Sequence, residues 1–153
     1  MSIERFTMDY AIMTEQTVPE IAKAYMEYYN LHENGCWQYE KAYKRIHQIV
    51  TIEDSLCLLQ REHGQNTGFE IGFFKEYDDL TAFYLEEIVI LADYQNKGYG
   101  TALLREIERR ARERGAAHIE LVSVNDAHHM RFYSSFGMYA ATNLKVMGKH
   151  FSA

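Results

Sequence analysis

The apolar positions of this chain change period along its length, and each period marks an element. Tyr10 to Glu15 ("YAIMTE") predicts a first strand. From Ile21 the spacing becomes three and four: Ile21, Ala24, Tyr25, Tyr28 and Tyr29 make one face of an amphipathic helix. Thr17 stands where an N-cap belongs. Pro19 suits the first turn, because the N–H it lacks would be unpaired there anyway. "NLHENG" breaks the helix, and a second helical pattern runs from Trp37 to about Ile49.

Strand-like runs follow. "SLCLLQRE", Ser55 to Glu62, reads as a buried strand, and "GQNTG" as a turn rich in glycine and asparagine. "FEIGFFKEY" and "TAFYLEEIVIL" predict two more strands around "DD", the second more apolar and expected at the centre of a sheet. A long helix is expected from Gly100 to about Arg114, with Leu104, Ile107 and Ala111 inward and Gly115 ending it. Its charges place Glu106 with Arg110 and Glu108 with Arg112 at helical spacing, a solvated ion-paired face. "HIELVSV" predicts another strand and "DAHHMRFYSSFG" a short helix. "MYAAT" and "LKVMGKHF" are expected to close the chain as an antiparallel pair. Hairpin and helix-crossing connections alternate, which predicts a mixed α/β (α+β) fold. With one proline and no linker-like stretch, residues 1–153 are expected to form one domain.

Composition narrows the function classes. The chain is ordinary for a water-soluble globular protein, 47% hydrophobic and 25% charged. Sixteen basic against 22 acidic residues give a net charge of −6, the wrong sign for a nucleic-acid footprint. Cys36 and Cys57 lack metal-ligand spacing or a disulfide framework, so both are expected as reduced thiols in the cytoplasm. "MSIERFTMDY" has no apolar run, so no signal peptide is expected, nor any membrane partner. His128 and His129 are adjacent and would point about 100° apart on a helix, so no metal site is expected.

The chemistry gathers around "ADYQNKGYGTALLREIE", Ala92 to Glu108. A glycine-rich turn feeding a helix N-terminus offers unpaired N–H groups and the positive end of the helix dipole, which favour an anion. Glycine lets that anion approach the backbone closely. The motif is not a P-loop, since no Lys-Ser or Lys-Thr pair follows. It is not a dinucleotide fingerprint either, since Leu103 takes the place of the third glycine.

Gln95-x-x-Gly98-x-Gly100, the strand-like "YLEEIVILADY" before it, and "HIELVSV" and "RFYSSFGM" after it resemble, in that order, the GNAT superfamily of acyl-CoA-dependent N-acetyltransferases. The resemblance spans Tyr84 to Met138. It implies the GNAT fold, a central mixed, mostly antiparallel sheet flanked by helices, and acetyl-CoA as acyl donor. It implies that backbone N–H groups of Asn96, Gly98, Gly100 and Thr101 hold the coenzyme A pyrophosphate, with Gln95, Lys97 and Tyr99 completing the turn. Backbone groups of Ile88 and Ile90 would bind the pantetheine arm like an added strand. Tyr133 would protonate the leaving thiolate. Asn125 would help hold the coenzyme, although Asp126 takes the place the superfamily pattern gives to asparagine.

Acetyl transfer to an amine also needs a group that takes the ammonium proton. "LEEIVI" sets two carboxylates in an apolar strand, which is costly without a purpose. Strand alternation puts Glu86 and Glu87 on opposite faces, so at most one of the two is expected at the acceptor. "YLEE" resembles the diamine N-acetyltransferases, which favours Glu86. The expected acceptor is a small cationic amine, drawn by Glu27, Glu33 and Glu40 among Tyr25, Tyr28, Tyr29, Trp37 and Tyr39. Rival readings are a protein or peptide amine as acceptor, a coenzyme A-binding regulatory module without turnover, and a binding domain with no coenzyme. A homodimer is left open.

Overall fold

The computed structural model describes residues 8–152. The expectation of no signal peptide at "MSIERFTMDY" falls largely on residues 1–7, which lie outside the described residues. The chain divides into two compact units, Met1–Val122 and Ser123–Ala153.

The first unit is built on a five-stranded sheet in sequence order: β1 Met8–Ile12, β2 Leu58–Glu62, β3 Gln65–Glu76, β4 Thr81–Ile90 and β5 His118–Glu120. The first four strands are antiparallel, and β5 runs parallel to β4. Its helices are α1 Val18–His32, α2 Tyr39–Thr51 and α3 Tyr99–Glu113. A parallel neighbour needs a crossover, and α3 supplies it. This is the mixed, mostly antiparallel sheet with helices that the resemblance implies.

The sheet buries both faces. Ile21, Ala22 and Tyr25 of α1 and Ala42, Ile46 and Val50 of α2 cluster with Cys57, Leu59, Phe69, Ile71 and Val89. Side chains alternate along a strand, so Leu58, Gln60 and Glu70 point to the other face, where Leu103, Leu104 and Ile107 of α3 are buried. The α3 ion pairs form as expected, Arg110–Glu106 at 2.7 Å and Arg112–Glu108 at 2.8 Å.

Four local expectations are corrected. Thr17 precedes α1, but its hydroxyl donates to the Thr14 carbonyl at 2.8 Å and caps no helix amide. "GQNTG" is not a turn: His63 and Gly64 alone reverse the chain and β3 starts at Gln65. Gly68 belongs inside that strand, where an added Cβ would lie 2.6 Å from the Val89 carbonyl oxygen. "HIELVSV" forms a strand only over His118–Glu120, paired with Ala82–Tyr84.

The fourth correction lies in the second unit. It contains α4, Ala127–Ser135, and "MYAAT" and "LKVMGKHF" form no strand pair among the described residues. Asp126 caps α4 by accepting from the His129 amide at 2.8 Å. That bond and the His129 ring hold the Asp126 carboxyl below its ordinary range.

Candidate active site

The two glutamates of β4 do not face opposite ways. Ile71 pairs with Glu87 but Gly72 pairs with Leu85, so Glu86 is an extra residue opposite no partner, a β-bulge. The bulge cancels the alternation. Arg45 Nη2, from α2, lies 3.0 Å from Glu86 Oε2 and 2.9 Å from Glu87 Oε2. The expectation of opposite faces is therefore corrected, and Arg45 is a site residue that sequence periodicity did not single out. One arginine among the "YEKAYKRIHQ" charges carries no signal until the helix is docked.

The two carboxylates are bonded very differently. Glu87, 16% exposed, accepts from Tyr25 Oη at 2.8 Å, Tyr29 Oη at 3.0 Å, and Arg45 Nε and Nη2 at 3.2 and 2.9 Å. Burial and the Glu87 charge raise both tyrosine phenols far above their ordinary range, so they stay donors. Glu86, 27% exposed, has one bond among the described residues, to Arg45. Two carboxylates and one guanidinium leave this cluster a formal excess of one negative charge.

The surrounding wall is aromatic. Tyr25 lies 4.7 Å from Tyr29 and 5.1 Å from Trp37 between ring centroids. Tyr28 lies 5.2 Å from Tyr29 and donates to Glu33 at 3.1 Å. Glu27, Glu33 and Glu40 are exposed.

The glycine turn stands at the N-terminus of α3. Gly98 is its N-cap residue, at φ 90°, a conformation that disfavours any side chain, and no side chain caps the helix. Asn96, Lys97 and Gly98 are exposed, while Gly100 and Thr101 are half-buried. Gln95 is engaged within the protein: its Nε2 donates to Tyr28 Oη and to the Ile90 carbonyl, each at 2.8 Å. Lys97 Nζ donates back to the Asp93 carbonyl at 2.9 Å. Tyr99 is buried and hydrogen-bonded to Glu62, which pushes its phenol up to about 12. Beside β4, strand β5 stops opposite Tyr84. Among the described residues it leaves Leu85 to Ile90, with Ile88 and Ile90 half-buried, unpaired on that side.

Tyr133 and Asn125 belong to the second unit. Tyr133 is half-buried in the last turn of α4, its ring 5.0 Å from Phe132, and its carbonyl accepts from the Phe136 and Met138 amides. Asn125 is exposed, one residue before the α4 cap.

A sequence model of the Acetyltransferase (GNAT) family matches residues 18–138. No curated protein matches the chain significantly. Among solved structures, an aminoglycoside N-acetyltransferase in complex with CoA is similar at 12% identity and TM-score 0.75, covering 99% of this chain and 100% of that one. A ribosomal-protein-alanine N-acetyltransferase from Brucella melitensis biovar Abortus 2308 is similar at 19% identity and TM-score 0.72, covering 95% and 100%. A transcriptional regulator from Bacillus halodurans C-125 is similar at 17% identity and TM-score 0.72, covering 94% and 99%. At these identities the likeness is one of fold.

Proposed function

We propose that this chain, which belongs to the acetyltransferase (GNAT) family, transfers acetyl from acetyl-CoA to a small cationic primary amine by direct attack, with Glu86 as base. The observation that carries the reading is the contrast at the bulge: Glu87 is saturated with donors, whereas Glu86 is held by one bond on a residue the sheet does not pair. The match across residues 18–138 spans both units and supports reading 1–153 as one acetyltransferase domain.

The turn suits the donor. The uncapped α3 N-terminus at Gly98 and the exposed Asn96–Gly98 backbone fit a pyrophosphate, held by the N–H groups of Asn96, Gly98, Gly100 and Thr101. The unpaired side of β4 fits an extended pantetheine arm along Ile88 and Ile90. The Ile90 carbonyl already accepts from Gln95.

An alkylammonium with a pKa of about 10.4 costs about 4–5 kcal/mol to deprotonate at pH 7. Glu86 takes that proton, directly or through water. The free amine attacks the thioester carbonyl; the C–S bond breaks, the thiolate leaves with a proton from Tyr133, and the nitrogen's second proton passes through water to the Tyr133 phenolate. The excess negative charge at Glu86 and the tyrosine–tryptophan wall suit a cationic acceptor. An aminoglycoside acetyltransferase among the structural neighbours is consistent with that class. The donor and two unbridged cysteines fit a cytoplasmic enzyme.

Free-thiol release from acetyl-CoA, measured across polyamines, aminoglycosides, amino acid amides and peptides, tests this. Turnover with the small cationic amines supports it. Turnover with peptides or neutral amines alone selects a protein acetyltransferase. Coenzyme binding without any turnover selects a regulatory module.

A further inference from the structure

We propose that Gln60 is a positioning residue for the donor, aligning the first turn of α3 for the pyrophosphate. This rests on the proposed placing of coenzyme A at Gly98–Gly100. Those two glycines have no side chains to anchor the turn, and Tyr99 between them carries all the side-chain anchoring of that stretch. Gln60 is fully buried on β2, on the sheet face under α3. Its Nε2 donates to the Tyr99 carbonyl and to Tyr10 Oη, each at 3.1 Å. Its Oε1 lies 2.6 Å from the Thr67 hydroxyl, which fixes which end of the amide faces the helix.

Thr67 reaches Gln60 because it, too, is a bulge: Gln60 pairs with Gly68 and Arg61 with Asn66, leaving Thr67 unpaired in β3. Two residues along β2 on the same face, Glu62 bonds the Tyr99 phenol. Backbone and side chain of Tyr99 are thus held by Gln60 and Glu62. The clamp offsets the freedom of the flanking glycines, so the α3 amides are oriented before the anion arrives.

Gln60→Met keeps the length and removes the bonds. The measurement is the affinity of each variant for coenzyme A and for pantetheine, which lacks the pyrophosphate. The expected result is about tenfold weaker coenzyme A binding, with pantetheine affinity held within about twofold, the size of one lost hydrogen bond at a charged ligand's site. Should Gln60→Met not fold, Thr67→Val removes the hydroxyl that orients the amide, together with its longer 3.2 Å bond to the Gln60 carbonyl, and gives the same selective loss, smaller in size. Equal loss for both ligands, or none for coenzyme A, overturns the role of Gln60. A wild-type chain that does not prefer coenzyme A to pantetheine overturns the pyrophosphate placing itself.

Discussion

Glu86 Oε2 lies 3.0 Å from Arg45 Nη2, and that one contact separates it from Glu87, which the same guanidinium holds together with two tyrosines. Glu86→Gln should therefore fold with near wild-type stability and lose turnover about 100-fold or more, the range of a missing general base. Glu87→Gln should behave the opposite way, because its loss leaves donors from Tyr25, Tyr29 and Arg45 poorly matched. We expect it to lower stability by about 1–3 kcal/mol. Urea unfolding beside steady-state kinetics distinguishes the two, and identical behaviour of the variants would sink the assignment.

At the turn, Gly98→Glu or Gly100→Glu should abolish coenzyme A binding, since each adds bulk and negative charge at the proposed pyrophosphate site. Gly98 also sits at φ 90°, so Gly98→Ala should cost about 1–2 kcal/mol of stability on its own. Titration calorimetry with coenzyme A reads the first effect. Unchanged affinity in a folded Gly100→Glu protein removes the basis of the donor site.

Tyr133→Phe should keep coenzyme affinity while turnover falls about 10- to 1000-fold, as general-acid catalysis requires. Full turnover assigns Tyr133 to packing.

Glu70 gives a pH-dependent prediction. Its carboxyl is fully buried on β3, and among the described residues neither oxygen makes a well-formed hydrogen bond. Burial raises it well above the carboxylate range, only partly offset by the Leu58 amide and the Arg110 guanidinium. The folded chain therefore holds that proton to higher pH than the unfolded chain does. Stability from this group is fully present below the unfolded value of about 4.3 and is lost as pH rises through the folded one. Glu70→Gln removes that slope, at most about 1.4 kcal/mol per pH unit. Its melting temperature should gain on wild type from pH 5 to pH 8, and parallel curves by calorimetry would contradict it.

Periodicity located the elements of the first unit within a few residues, because α1, α2, α3, β3 and β4 each carry an apolar face that must be buried. The glycine turn was legible because backbone chemistry depends on residue type alone. What escaped depends on docking. Arg45 is one charge among several on α2 until the helix meets the β4 bulge. The bulge itself is invisible in a string where Phe83, Leu85, Glu87 and Val89 share one parity, although Val89 packs with α1 and α2 and Leu85 pairs on the other side of the irregularity. "GQNTG" has turn composition, yet Gly68 is there for a close backbone approach and Thr67 for a bulge.

The β4 bulge also bears on how such a catalyst can arise. With Glu86 left out, Gly72–Leu85 and Ile71–Glu87 would follow one another as consecutive pairs of an unbroken ladder. The sheet needs every neighbour of Glu86 and does not need Glu86. A single-codon insertion into a regular hairpin adds a carboxylate there while the pairs on either side keep their register.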